Sequence, residues 1–102
     1  MAWYQYFSGF WAGLFLANFV PHFVKGITGD AFPTPFSNPP GKGLSSPVIN
    51  ILWAFMNLIV ALFLIRFGKI SMGDNLSAIL FFAGFALISI FCSIHFVNKD
   101  KV

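Results

Sequence analysis

Histidine is the side chain in this sequence best suited to binding chemistry, and the chain has two, His22 and His95. Each lies near the end of a long apolar stretch. If both stretches cross a membrane in the same direction, the two imidazoles lie near the same face at similar depth. Imidazoles placed in this way can ligate a haem iron or hydrogen-bond a quinone. Asn18 and Lys25, on either side of His22, complete a candidate ligand-binding set.

A simpler interpretation of the histidines is that each caps helix-end carbonyls or faces lipid headgroups. We favour it, because nothing else in the chain selects a cofactor. A zinc site is not predicted, since zinc takes four ligands and the sequence holds a single Cys and no Glu. The cofactor is left unassigned, with haem as one alternative, and no metal ligand is assigned. Cys92, inside an apolar stretch, is expected to be a buried and inert thiol.

Two asparagines interrupt the middle apolar stretch. Asn50 and Asn57 are seven residues apart, which places them two turns apart on one face of a helix. An unpaired amide is costly in lipid, so this face should meet protein or water. We favour hydrogen bonding between helices. The alternative is a polar path through a pore formed by several copies of the chain.

Small residues recur along the first apolar stretch at Gly9, Gly13 and Ala17. A spacing of four places them in one stripe on a helix face, where another backbone can approach closely. The stripe therefore predicts helix packing, either within the chain or between copies of it.

Groups suited to catalysis are scarce. The acidic residues are three Asp, and none lies inside an apolar stretch. Proton-driven transporters and membrane kinases typically use embedded carboxylates. No Ser-His-Asp or Cys-His arrangement is apparent. We therefore favour a non-enzymatic protein, and leave open an enzyme in which His22 acts as acid and base on a lipid headgroup.

Composition indicates the elements that position these residues. Hydrophobic residues make up 58% of the chain and charged residues 9%, against about 25% charged in a typical soluble domain. Lipid is therefore the expected solvent, and the fold class is an all-α membrane protein with three transmembrane helices in one domain. The predicted ranges are helices over about 4–24, 48–65 and 76–97, a loop over 25–47, a link over 66–75 and a tail over 98–102.

The breaks between these stretches carry helix-start signals. Ser46 followed by Pro47 predicts the start of the second helix, and Asp74 with Asn75 predicts the start of the third. The loop holds five of the six prolines, so no regular element can run through it. It also holds apolar residues such as Phe32 and Phe36, which predict an ordered loop on the membrane surface or folded into the helix bundle.

Charge predicts the orientation. Four Lys lie in the loop and tail, against one Arg and one Lys in the link on the other side. The positive-inside rule then places the long loop and the C-terminus in the cytoplasm and the N-terminus on the opposite side. The cations are scattered singly, so nucleic acid is not an expected partner.

We expect a small oligomeric integral membrane protein that acts as a non-enzymatic scaffold or accessory module. Its expected partners are the lipid bilayer and either further copies of the chain or a larger membrane complex. One alternative is transport of small solutes or ions through an oligomeric pore. The other is a haem- or quinone-binding membrane protein that uses His22 and His95.

Overall fold

The computed structural model of the chain describes residues 3–70 and 73–100. Residues 71–72 of the predicted link and 101–102 of the predicted tail lie outside the described residues. The long helices are α1 (Trp3–Ile27), α2 (Pro47–Phe67) and α3 (Asn75–His95), and a short 3-10 helix, Phe96–Asn98, follows α3. All three long helices are long and apolar enough to span a membrane. The predicted all-helical architecture with three such helices is therefore confirmed for the described part of the chain.

Local hydrogen bonds explain where α2 and α3 begin. The Ser46 side chain accepts a hydrogen bond from the Ile49 N–H, and Pro47 occupies the first helical position, where no N–H donor is needed. At α3, the Asp74 carboxylate accepts from the Ser77 N–H. Both predicted helix starts are confirmed.

The first helix runs past its predicted end at about residue 24 and stops at Ile27. The Thr28 hydroxyl donates to the carbonyls of Val24 and Lys25 in the last turn, and these carbonyls also accept from the Thr28 and Asp30 N–H groups. Gly29 then takes a φ of 77°, a conformation that favours glycine and ends the helix. The predicted end of α1 was too early, because hydropathy marks the end of the apolar stretch and not the capping groups that follow it.

The central helix is α1. Residues of α1 pair with α2 in antiparallel order and with α3 in parallel order. Within residues 3–70 and 73–100, α2 and α3 each pack against α1 and not against one another. This arrangement leaves a cleft between α2 and α3 whose floor is α1.

Large apolar side chains point outward in this bundle. The buried apolar residues of the helices are alanines, among them Ala12, Ala54 and Ala61, while the largest fully buried side chains include Asn50 and Asn57. Phe, Leu, Ile and Met side chains instead cover the outer faces of α2 and α3. A water-soluble protein distributes these residues in the opposite way.

Glycines set the contact between α1 and α3. A Cβ built on Gly13 would collide with the Phe81 carbonyl, and a Cβ built on Gly84 would collide with the Phe10 carbonyl. The two backbones therefore touch where the helices cross, as small residues permit in membrane helix pairs. Part of the predicted stripe, Gly9 and Gly13, thus faces α3 of the same chain.

The long loop is folded over one end of the bundle. Phe32 and Ser45 exchange backbone hydrogen bonds of 3.2 and 3.0 Å, which close the loop at its base. Thr34 is buried, and its Oγ1 lies 2.6 Å from the Ser45 Oγ. Beyond α3, the Asp100 N–H donates to the Lys42 carbonyl at 2.9 Å. The loop and the segment after α3 therefore meet at the same end of the bundle.

Candidate ligand-binding cavity

Hydrogen bonds between buried polar side chains join α1 to α2. The Asn18 Nδ2 donates to the Asn57 Oδ1 at 3.0 Å, and the Asn57 Nδ2 donates to the Trp53 carbonyl at 2.8 Å. One turn further along α1, the His22 Nδ1 lies 2.8 Å from the Asn50 Oδ1. Asn50 and Asn57 are 0% and 1% exposed. The predicted polar face of the second helix is thus covered by α1 of the same chain.

The Asn50 amide has one chemically consistent orientation. Its Nδ2 lies 2.9, 3.2 and 3.1 Å from the backbone carbonyls of Phe32, Ser45 and Ser46. Carbonyl oxygens only accept, so the amide nitrogen must face them and the Oδ1 must face His22. This single side chain therefore connects the loop base, the start of α2 and the α1 histidine.

The orientation of Asn50 determines the tautomer of His22. Because the Asn50 Oδ1 accepts, the His22 Nδ1 must carry the hydrogen and donate it. In neutral imidazole the other nitrogen, Nε2, is then a bare acceptor. His22 as a whole residue is 2% exposed.

The Nε2 of His22 has no hydrogen-bond partner among the described residues. It is not sealed in the interior either, because no fully enclosed side-chain nitrogen or oxygen in that part of the chain lacks a partner. His22 lines a cavity of about 340 Å³ at the loop end of the cleft between α2 and α3. We infer that the free Nε2 opens into this cavity, which we call the loop-side cavity.

All three helices and the loop contribute to the loop-side cavity. Its polar lining residues are Asn18, His22, Thr34, Cys92 and His95. Most of the remaining wall consists of rings, from Pro33, Pro35, Pro40, Trp53, Phe91 and Phe96. A largely apolar cavity with a few convergent polar groups is the usual form of a small-molecule site.

The second histidine joins α3 to the loop. The His95 Nε2 lies 3.0 Å from the Gly41 carbonyl, so that nitrogen carries the hydrogen and donates it. The imidazole stacks on the Phe91 ring with centroids 5.3 Å apart. Gly41 has a φ of 73°, which favours glycine at the position that presents this carbonyl. His95 is therefore engaged by the loop, whereas the Nε2 of His22 is not.

The predicted ligand-binding set is divided by the fold. His22, His95 and Asn18 line the same cavity, as their spacing in the sequence suggested. Lys25 instead lines a separate groove of about 370 Å³ between α1 and α3, which we call the α1–α3 groove. Cys92 lies between the two cavities, with its Sγ 3.8 Å from the Asn18 Oδ1.

Hydrogen bonding is the chemistry that this cavity offers. No group of three His, Cys, Asp or Glu side chains converges anywhere in residues 3–70 and 73–100. The Nε2 of His95 already donates to the Gly41 carbonyl. What the site presents is an unpaired acceptor on His22 beside a ring-lined space.

Sequence reasoning did not identify Trp53 or Thr34 as part of the site. It also treated Asn50 as part of a polar helix face and not as the partner of His22. One signal was available: Asn18 and His22 share a face of the first helix, and Asn57 and Asn50 share a face of the second. Two adjacent antiparallel helices bring such pairs into register. Nothing in the sequence indicated that carbonyls of the loop would contact Asn50 and His95.

Comparison of the chain with known protein families, curated proteins and solved structures finds no match.

Proposed function

We propose that this chain is an integral membrane protein with three spans, and that it is a non-enzymatic module that binds a small amphiphile in the loop-side cavity. The outward-facing apolar side chains on all three helices support membrane insertion. In water this surface would be an aggregation hazard, whereas in lipid it is the expected exterior.

One observation carries the ligand-binding part of the proposal. The Nε2 of His22 has no hydrogen-bond partner among the described residues, and His22 lines a ring-lined cavity of about 340 Å³. In a membrane, an acceptor left unpaired in an apolar site is costly. A ligand with a polar head and an apolar body would satisfy it, since the cleft between α2 and α3 leaves room for the body to reach the lipid.

A native mass spectrum of the protein in mild detergent tests this function. We expect a discrete extra mass on the wild-type protein, and its loss in Ile88→Trp, because the indole would fill the cavity that Ile88 lines. Ile90→Trp is the matched control, since Ile90 is 60% exposed on the same helix. Equal occupancy in all three proteins would contradict the proposal. An absorption spectrum of the same sample tests the haem alternative.

Transport through an oligomeric pore is a less supported candidate. It relied on Asn50 and Asn57 facing a shared path, but α1 of the same chain covers both side chains. Self-association and assembly into a larger membrane complex stay predictions. The need to bury the two asparagines no longer supports them, because a single chain buries both.

We also infer that the loop-side cavity lies at the cytoplasmic face. The contact between Asp100 and Lys42 puts the loop and the end of the chain together. Three lysines flank this end of the bundle, Lys25, Lys42 and Lys99, whereas Arg66 and Lys69 lie at the other. The positive-inside rule favours the cytoplasm for the more basic end.

A further inference from the structure

The hydrogen bonds behind His22 determine what a bound headgroup must offer. The Nδ2 of Asn50 faces three carbonyls, so its Oδ1 faces His22 and takes the hydrogen on Nδ1. The Nε2 is therefore a fixed acceptor. A ligand group beside it must donate a hydrogen, and a group that only accepts would place two lone pairs against each other.

Thr34 and His95, two other polar residues of the cavity wall, are engaged by the loop. The Thr34 Oγ1 pairs with the Ser45 Oγ and accepts from the Phe36 N–H at 3.1 Å. The His95 Nε2 donates to Gly41. The His22 Nε2 is thus the unpaired histidine acceptor that a ligand can complete, in a cavity that Asn18 and Trp53 also line.

Aromatic rings surround this acceptor. The His22 ring lies edge-on to Phe32, Trp53 and Phe96, with centroids 5.4, 6.4 and 6.5 Å away. Trp53 and Phe96 also line the cavity. Flat rings pack well in offset or edge-on contact with such walls. The shape of the site therefore favours an aromatic head over a flexible alkyl one.

We infer, on the basis of the proposed ligand-binding function, that the ligand is a phenol or quinol. Its hydroxyl donates to the Nε2 of His22, its ring lies among the rings of the cavity wall, and its apolar tail leaves through the cleft between α2 and α3. At Nε2, the oxidised quinone of the same skeleton, which offers only acceptors, is disfavoured. An aliphatic alcohol shares the donating hydroxyl and lacks the ring.

Binding of matched probes to the full chain in phosphatidylcholine nanodiscs tests this inference. The probes are para-nonylphenol, its methyl ether para-nonylanisole, and dodecanol, compared at equal mole fraction in the lipid. We expect the phenol to bind about tenfold more tightly than the ether, because the ether cannot donate to Nε2. Dodecanol should fall between them.

The outcomes separate the inference from the function on which it rests. Equal binding of phenol and ether would overturn the donor requirement while leaving the cavity as a ligand site. If dodecanol matched the phenol, the aromatic part of the inference would be wrong. If no probe bound, both the inference and the proposed function would fail.

Variant and spectroscopic readouts complete the test. His22→Phe keeps a ring and removes the acceptor, so phenol and ether should then bind alike. Because Asn50 would lose its partner and the variant could misfold, nitrogen NMR of histidine-labelled wild-type protein provides a second measurement. We expect a bare Nε2 on His22 that responds to the phenol and not to the ether. A protonated Nε2 on neutral His22 would overturn the inference.

Discussion

At the scale of single residues, the Asn50 side chain joins more parts of the structure than any other described here. Its amide connects the loop base, the start of α2 and His22. A donor on one side and an acceptor on the other are both required, and asparagine supplies both in one short side chain. Leucine or alanine would leave the His22 Nδ1 without its partner and remove the contacts with three carbonyls, which in an apolar site is costly.

Replacing Asn50 by Asp tests this dependence on donor and acceptor directions. The substitution keeps the shape and replaces the Nδ2 donor by an oxygen that faces the Phe32, Ser45 and Ser46 carbonyls. We expect the free energy of unfolding to fall by on the order of 3 kcal/mol, since the amide's hydrogen bonds are lost and a second oxygen is placed against three carbonyl oxygens. Thermal unfolding in detergent would measure it. Asn98→Asp, at an exposed position, is the control and should change little. A wild-type melting temperature for Asn50→Asp would contradict the assigned network.

At the scale of elements, α1 has two faces with different chemistry. One face carries Asn18 and His22 and pairs with α2 by hydrogen bonds. Another carries Gly9 and Gly13 and meets α3 at backbone contact. The two contacts use the two forces that hold helices together in lipid, polar pairing and close packing. Because each neighbour uses a different face, α2 and α3 stay apart and the cleft between them remains.

A valine at position 13 tests whether the small stripe packs within the chain. The Gly13→Val side chain would collide with the Phe81 carbonyl and push α1 away from α3. We expect the free energy of unfolding to fall by about 1–3 kcal/mol, which is typical of an overpacked contact. Thermal unfolding of the detergent-solubilised protein would measure it. Ser93→Val is the control, because Ser93 is exposed on α3, the helix that Gly13 contacts. If Gly13→Val altered only the copy number in a native mass spectrum and left stability intact, the stripe would instead mediate contact between chains.

At the scale of the whole molecule, the loop closes one end of a bundle that is otherwise open along one side. The loop carbonyls bind Asn50 and His95, and the segment after α3 binds the Lys42 carbonyl. Loop, cavity and basic residues therefore share one end. A polar headgroup at that end and an apolar body along the cleft would match the layered chemistry of a lipid leaflet.

Site-directed labelling tests the orientation of the whole chain. In a Cys92→Ser background, single cysteines replace Asn38 in the loop, Asn98 after α3 and Gly73 before α3. We expect an impermeant maleimide added to intact cells to label the Gly73→Cys protein and not the other two, because the positive-inside rule places the basic end in the cytoplasm. Labelling of all three after membrane permeabilisation is the control. The reverse pattern would put the cavity on the outer face.

The sequence by itself determined the three long apolar helices, the helix starts and the shared end of the two histidines. Long apolar stretches, Ser46 with Pro47, and Asp74 are local signals, and local signals need no knowledge of the partner helix. The contacts between helices did not follow from such local signals. Only the tertiary structure decided that Asn50 faces His22, that Gly13 meets α3, and that Lys25 lies outside the loop-side cavity. These outcomes depend on which face of α1 each neighbour takes and on where loop carbonyls fall, and neither is fixed by the residues nearby in the chain.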